Sequence, residues 1–70
     1  MQIVRDVFYT IECNEENEFI FKPNFSTLEK MFGYEFKSKF CNIVTNDLCK
    51  LVDYINELKS EILKELYSRG

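Results

Sequence analysis

The sequence contains no histidine, no tryptophan and no alanine, and it has only two glycines and one proline. Histidine is the side chain that most often serves as a general base or metal ligand near neutral pH, so the usual catalytic centre is missing. Two glycines cannot build a glycine-rich phosphate-binding loop. A chain of this size also lacks the volume for an enclosed substrate cleft. We therefore expect no enzyme, no catalytic residue, no cofactor and no metal site.

Cysteine is present but in an uninformative pattern. The three residues, Cys13, Cys41 and Cys49, form no CxxC motif, which argues against a disulfide framework and against zinc.

No run approaches the roughly 18 apolar residues of a membrane span. The N-terminal apolar segment carries Arg5 and Asp6 and lacks the cleavage site of a signal peptide. These features predict a cytoplasmic location.

The composition indicates one globular domain, residues 1–70, because 46% of the residues are hydrophobic and 30% are charged. Amino acids with GC-rich codons are scarce, whereas Phe, Tyr, Ile, Asn and Lys are abundant. This bias indicates an AT-rich genome, such as those of low-GC bacteria and their phages or plasmids. The formal net charge is −3, which disfavours a nucleic-acid binder, since such proteins usually show a basic excess.

The N-terminal third predicts an antiparallel hairpin. Residues 2–12 alternate apolar and polar side chains with the period of a strand, and residues 14–17 form a polar turn. Residues 18–22 alternate again until Pro23, which cannot donate to a strand ladder. The segment is therefore predicted to form two strands joined by one turn.

The middle of the chain predicts a short helix and then an ambiguous segment. Ser26 and Glu29 have the spacing of a capping box, and Gly33 suits the end of the helix. Residues 33–40 alternate Tyr34, Phe36 and later aromatic residues with polar ones, which favours a third strand. The same segment also has phenylalanines four residues apart, so a helix is the alternative.

The last third predicts a long amphipathic helix over residues 46–68, capped by Thr45 or Asn46. Apolar residues recur there at steps of three and four. A helix of this length and an 11-residue strand both span about 35 Å. We therefore expect an α+β fold in which a small antiparallel sheet, a short helix and one long C-terminal helix packed across the sheet bury both apolar faces.

Acidic residues form two candidate partner-binding groups. The long helix carries like charges four residues apart, which repel one another and so do not serve helix stability; they are Asp53, Glu57, Glu61 and Glu65. The hairpin turn carries a second group, Glu15, Glu16 and Glu18, near Glu12. Either group could imitate a phosphate backbone before a basic cleft, and the competing interpretation is a solvated face. Exposed aromatics, Tyr34 and Phe36, are the candidate anchors.

The same helix offers a second type of contact. Its apolar residues also fit heptad positions, and its apolar surface widens towards the C-terminus. If the sheet ends before the helix does, this surface is exposed and marks an interface. The candidate dimer residues are Leu58, Ile62, Leu63, Leu66 and Tyr67.

Small, acidic, aromatic-rich proteins from AT-rich genomes look like the inhibitors that phages and mobile elements direct against host enzymes, including anti-CRISPR proteins. This likeness rests on size, charge and codon bias. It implies a non-enzymatic protein-binding module that inhibits a nucleic-acid-processing or defence enzyme of a bacterial host by nucleic-acid mimicry. One alternative is a self-associating structural or regulatory module. The other is a weak nucleic-acid binder that uses Lys30, Lys37 and Lys39.

Overall fold

The computed structural model describes residues 2–69. It is an α+β fold with four strands and three helices. In chain order these are β1 (Gln2–Arg5), β2 (Tyr9–Cys13), β3 (Phe19–Pro23), α1 (Phe25–Phe32), α2 (Tyr34–Lys37), β4 (Ile43–Thr45) and α3 (Leu48–Arg69).

The strands form one antiparallel sheet in the order β1-β2-β3-β4. The predicted pairing of β2 with β3 is confirmed, with Ile11 opposite Phe21. Both of these side chains are buried, because alternate residues of a strand share one face. β1 and β4 are the two edges of the sheet.

The prediction of one strand over residues 2–12 is wrong, because a turn at Asp6–Phe8 divides it into β1 and β2. The Asp6 carboxylate accepts a hydrogen bond from the Phe8 amide at 3.1 Å. The Asp6 amide donates to the Tyr9 carbonyl at 2.9 Å. An aspartate that bonds its own backbone two residues on competes with strand extension. The two strands have four and five residues, so the sheet extends over a much shorter distance than an 11-residue strand would.

The N-cap of helix α1 lies two residues before the predicted one. Asn24, not Ser26, is the N-cap, and its side-chain oxygen accepts from the Thr27 amide at 3.3 Å. The Asn24 side chain also donates to the Val7 carbonyl at 3.1 Å. One residue therefore both caps the helix and ties it to the β1–β2 turn. Leu28 and Phe32 of this helix are buried, whereas Met31 is exposed.

The favoured third strand over residues 33–40 is also wrong. Tyr34–Lys37 forms the short helix α2, as the alternative based on the spacing of the phenylalanines indicated. Ring contacts explain the outcome, since Phe32 and Phe36 lie 4.7 Å apart and Phe36 and Phe40 lie 5.3 Å apart between ring centroids. The strand that pairs with β3 comes later, at β4.

Helix α3 starts at Leu48, and its N-cap is Asp47 instead of the predicted Thr45 or Asn46. The Asp47 carboxylate accepts from the Cys49 amide at 2.9 Å, and its carbonyl accepts from the Leu51 amide at 3.1 Å. The apolar stripe is only partly buried, because Leu48 and Val52 are exposed. The helix contributes Leu51, Leu58 and Ile62 to the core.

One hydrophobic core joins the sheet to all three helices. Its buried members are Tyr9, Ile11, Phe21, Leu28, Phe32, Phe36, Leu51, Leu58 and Ile62. Leu28 and Leu58 are completely buried. Four of the nine are aromatic, which is consistent with the large area that each aromatic side chain removes from water.

The Gly33 backbone joins α1 to α2 at φ 97° and ψ 170°, a conformation that L-amino acids rarely adopt. A Cβ atom built there meets nothing within 4 Å, so the cost of a substitution arises in the backbone alone. We expect Gly33→Ala to lower the free energy of unfolding by about 1–3 kcal/mol, measured by denaturant titration. A chemically synthesised chain with D-alanine at this position is the control and should be at least as stable as the parent. Equal losses in the two variants would contradict the assignment.

Candidate functional site

The register of the sheet brings acidic side chains from two parts of the chain to one end of the fold. β2 ends and β3 begins at the Asn14–Glu18 turn, and Phe19 pairs with Thr45 at the end of β4. The start of α3 therefore lies at the same end. We call this region the acidic end and define it by Glu15, Glu16, Glu18 and Asp47.

The acidic end is held by the Asn14 side chain. Its oxygen accepts from the Glu16 amide at 3.0 Å and from the Glu18 amide at 2.9 Å, and its nitrogen donates to the Glu18 carboxylate at 3.2 Å. Asn17 adopts a φ of 61°, which asparagine tolerates better than most residues. Glu15 and Glu16 are exposed and Glu18 is half-buried. Two predicted acids thus face solvent from a well-bonded turn.

Sequence reasoning missed Asp47 as a member of this group. The residue caps the long helix, where a negative charge is favourable. Only the pairing of β3 with β4 shows that it lies near the hairpin turn. A correct prediction of β4 would have supplied the missing signal.

The predicted acidic stripe of α3 is interrupted by lysines. Glu61 lies 3.7 Å from Lys39 and 3.5 Å from Lys64, measured from carboxylate oxygen to Nζ. Glu65 is half-buried. Asp53 and Glu57 are exposed. The N-terminal half of the stripe therefore keeps two solvated carboxylates. The negative charge of Glu61 is partly neutralised by Lys64 and by Lys39, which lies in the connection between α2 and β4.

The two candidate aromatic anchors have different positions. Tyr34 is 66% exposed, and Lys37 Nζ lies 5.0 Å from the centre of its ring. Phe36 is 3% exposed and belongs to the core, so the expectation that it reaches the surface is wrong. Helix α2 causes the difference, because residues two positions apart in a helix lie on different faces.

The three lysines of the nucleic-acid alternative do not form an open basic surface. Lys39 contacts Glu61 and lies 5.6 Å from the centre of the Phe36 ring. Lys37 lies over Tyr34. Lys30 is exposed on α1. Two of the three ammonium groups thus already have partners.

A further ion pair joins strands β2 and β3. Lys22 Nζ and a Glu12 carboxylate oxygen are 2.6 Å apart across β2 and β3. The hydrogen bond and the positive charge of Lys22 lower the pKa of the Glu12 carboxyl below its usual value. Glu12 is therefore an ion-pair partner within the sheet and is not part of the acidic end.

At the opposite end of the sheet, the β1–β2 turn and the C-terminal half of α3 enclose an apolar groove of about 360 Å³. We call it the apolar groove. Its lining residues are Asp6, Phe8, Lys59, Ile62, Leu63 and Leu66. Sequence reasoning missed Asp6 and Phe8, because it placed both in the middle of a continuous strand.

The predicted dimer residues divide between the core and the surface. Leu58 is 0% exposed, so its assignment to a surface is wrong, whereas Ile62 is 5% exposed and lines the apolar groove from the core. Leu63, Leu66 and Tyr67 are exposed at 54%, 47% and 84%. Val7, in the facing turn, is also exposed. Only the last two turns of the predicted interface thus remain accessible.

Comparisons with protein-family models, with curated proteins and with solved structures find no match for this chain. Within residues 2–69, no helix combines the length and the apolar character that crossing a membrane requires.

Proposed function

We propose that the protein is a non-enzymatic binding module whose acidic end occupies a basic, nucleic-acid-binding surface of a larger protein. The observation that carries the proposal is that the hairpin carboxylates and Asp47 lie at the same end of the sheet. Glu15 and Glu16 extend from a turn fixed by three hydrogen bonds of Asn14. Carboxylates held at a fixed spacing present charge to a partner without first losing much conformational freedom.

The charge distribution supports the same proposal. The chain has a net charge of −3. The Asn14–Glu18 turn contains no basic residue, and the first turn of α3 carries one, Lys50. A cluster of one sign raises the rate of encounter with a basic cleft and excludes surfaces of the same sign. Asp53 and Glu57 add exposed acids further along α3. These charges would compete with phosphates for one site.

An inhibitor encoded by a phage or mobile element, acting in the cytoplasm of a bacterial host, is the biological role that fits this chemistry. Its target would be an enzyme with a basic channel for nucleic acid, in the manner of anti-CRISPR proteins. The size, the acidity and the codon bias of the sequence support this assignment. Direct nucleic-acid binding has less support, because Lys39 contacts Glu61 and the Phe36 ring.

Reversing the two exposed hairpin acids tests the proposal. We expect Glu15→Lys combined with Glu16→Lys to reduce capture of the partner from a low-GC bacterial lysate at least tenfold. Thermal stability should change by less than about 0.5 kcal/mol, as is usual for surface substitutions. Capture by the parent should weaken as salt rises, because ions screen charges beyond about 10 Å at 0.1 M. Added duplex DNA or RNA should displace the partner.

A double variant with the same change in net charge is the control. Glu29→Lys with Glu35→Lys alters two exposed acids on α1 and α2, outside the acidic end. This variant should capture the partner as the parent does. If both double variants lose capture equally, or if nucleic acid does not compete, the acidic end is not the binding surface.

A further inference from the structure

The long helix extends beyond the sheet on which it packs. Helix α3 has 22 residues, whereas the longest strands have five, which correspond to about 33 Å and 17 Å. The Cα atoms accordingly span 41 Å along the longest axis and only 21 and 18 Å across it. The C-terminal turns of α3 therefore have no strand beneath them. Leu63, Leu66 and Tyr67 are exposed for this reason.

We propose that the apolar groove binds a second copy of this chain, so that the protein forms a symmetric dimer through the C-terminal half of α3 and the β1–β2 turn. This inference does not depend on the proposed function, because it concerns the opposite end of the molecule.

Charge complementarity identifies the occupant. Asp6 lies on one wall of the groove and Lys59 on the other, and the remaining lining residues are apolar. In a twofold dimer every contact occurs twice, so the pairing of Asp6 of one copy with Lys59 of the other forms two ion pairs. One oxygen of Asp6 accepts from the Phe8 amide, and in the proposed dimer the second oxygen accepts from the ammonium group. A surface with one charge of each sign and an apolar centre complements itself.

The placement of charge also favours self-association at this end. Two copies carry −3 each, and contact through their acidic ends would bring like charges together. The groove contributes one negative and one positive side chain, so two grooves meet without net repulsion. The acidic ends then lie far apart in the dimer.

Strand addition at the β1 edge is a less suitable route to a dimer. The pairing of β1 with β2 is irregular between Gln2 and Val4, and such bulges twist an edge strand away from further pairing. Contacts between side chains in the groove do not require an open strand edge. The groove is thus the better interface.

Sedimentation velocity of the full chain over a concentration series tests the proposal. We expect the parent to form a dimer, and Leu63→Glu to weaken dimerisation at least a hundredfold by placing a carboxylate in the apolar centre. Leu48→Glu is the matched control, since Leu48 is an exposed leucine at the other end of the same helix. It should dimerise as the parent does.

The charge pair has its own test. Lys59→Glu opposes two carboxylates at each contact and should weaken the dimer at least tenfold, whereas Lys50→Glu, which makes the same change in net charge at an exposed position, should not. Adding Asp6→Asn to Lys59→Glu removes the repulsion but keeps the acceptor for the Phe8 amide, so part of the affinity should return. Circular dichroism of each variant verifies that the fold is kept.

Three results would overturn the inference. A parent chain that remains monomeric up to about 1 mM, the weakest range of specific association, leaves the groove to some other partner. Equal weakening by Leu63→Glu and Leu48→Glu places the interface elsewhere. Equal weakening by Lys59→Glu and Lys50→Glu reduces the effect to net charge.

Discussion

Replacing Leu58 by alanine is expected to lower the free energy of unfolding by about 3–5 kcal/mol. Leu58 has no exposed surface and lies on the face of α3 that packs on the sheet. Its truncation loses the transfer free energy of the side chain and leaves a cavity. A 70-residue chain has only about 3.5–10 kcal/mol of total stability at the usual value per residue. The variant should therefore be close to unfolding at room temperature.

Thermal and urea unfolding followed by circular dichroism measure this effect. Each kcal/mol should lower Tm by about 4–8 °C in a domain of this size. Leu48→Ala is the matched control, because Leu48 has the same side chain on the same helix but is 60% exposed. Its stability should stay within about 0.5 kcal/mol of the parent. If Leu48→Ala cost as much as Leu58→Ala, the rotation of α3 on the sheet would be wrong.

Phe36→Ala is expected to destabilise the fold by about 3–5 kcal/mol, the range for buried aromatic residues. The ring is buried and lies between those of Phe32 and Phe40, with centroid distances of 4.7 and 5.3 Å. Its removal opens the junction between α2 and the core. Urea titration of the purified variant gives the loss directly, as a shift of the midpoint without a large change in slope.

Tyr34→Ala, two residues away, separates the core from the surface in the same short helix. Tyr34 is 66% exposed, so its loss should change stability by less than about 0.5 kcal/mol apart from the contact with Lys37. Equally large losses for Tyr34→Ala and Phe36→Ala would support the strand that the sequence favoured for this segment, because residues two apart in a strand share one face.

The two proposed surfaces lie at opposite ends of the sheet and are compatible with each other. A dimer formed through the apolar groove would leave both acidic ends accessible. Two linked sites raise the apparent affinity for a partner that offers two basic clefts, without any new contact. The charge-reversal and dimerisation variants therefore affect different measurements, capture in one case and sedimentation in the other.

Local sequence patterns determined the elements whose residues act through near neighbours. The alternation in residues 18–22 specified β3, and the three- and four-residue steps after Asp47 specified α3. Gly33 was correctly predicted to end α1, because its backbone conformation is a property of glycine itself. The α+β class followed from the apolar faces of these elements, since each face must pack against another element. The exposed acids Glu15 and Glu16 followed from the polar turn.

Only the tertiary structure decided the remaining features, because they depend on residues distant in the sequence. Asn24 ties helix α1 to the β1–β2 turn by donating to the carbonyl of Val7, 17 residues earlier. The aromatic spacing of residues 32–40 favoured a strand and also allowed a helix, and ring packing in the core selected α2. The pairing of β3 with β4 placed Asp47 beside the hairpin acids. Both the acidic end and the apolar groove exist because of such long-range contacts, which no local pattern encodes.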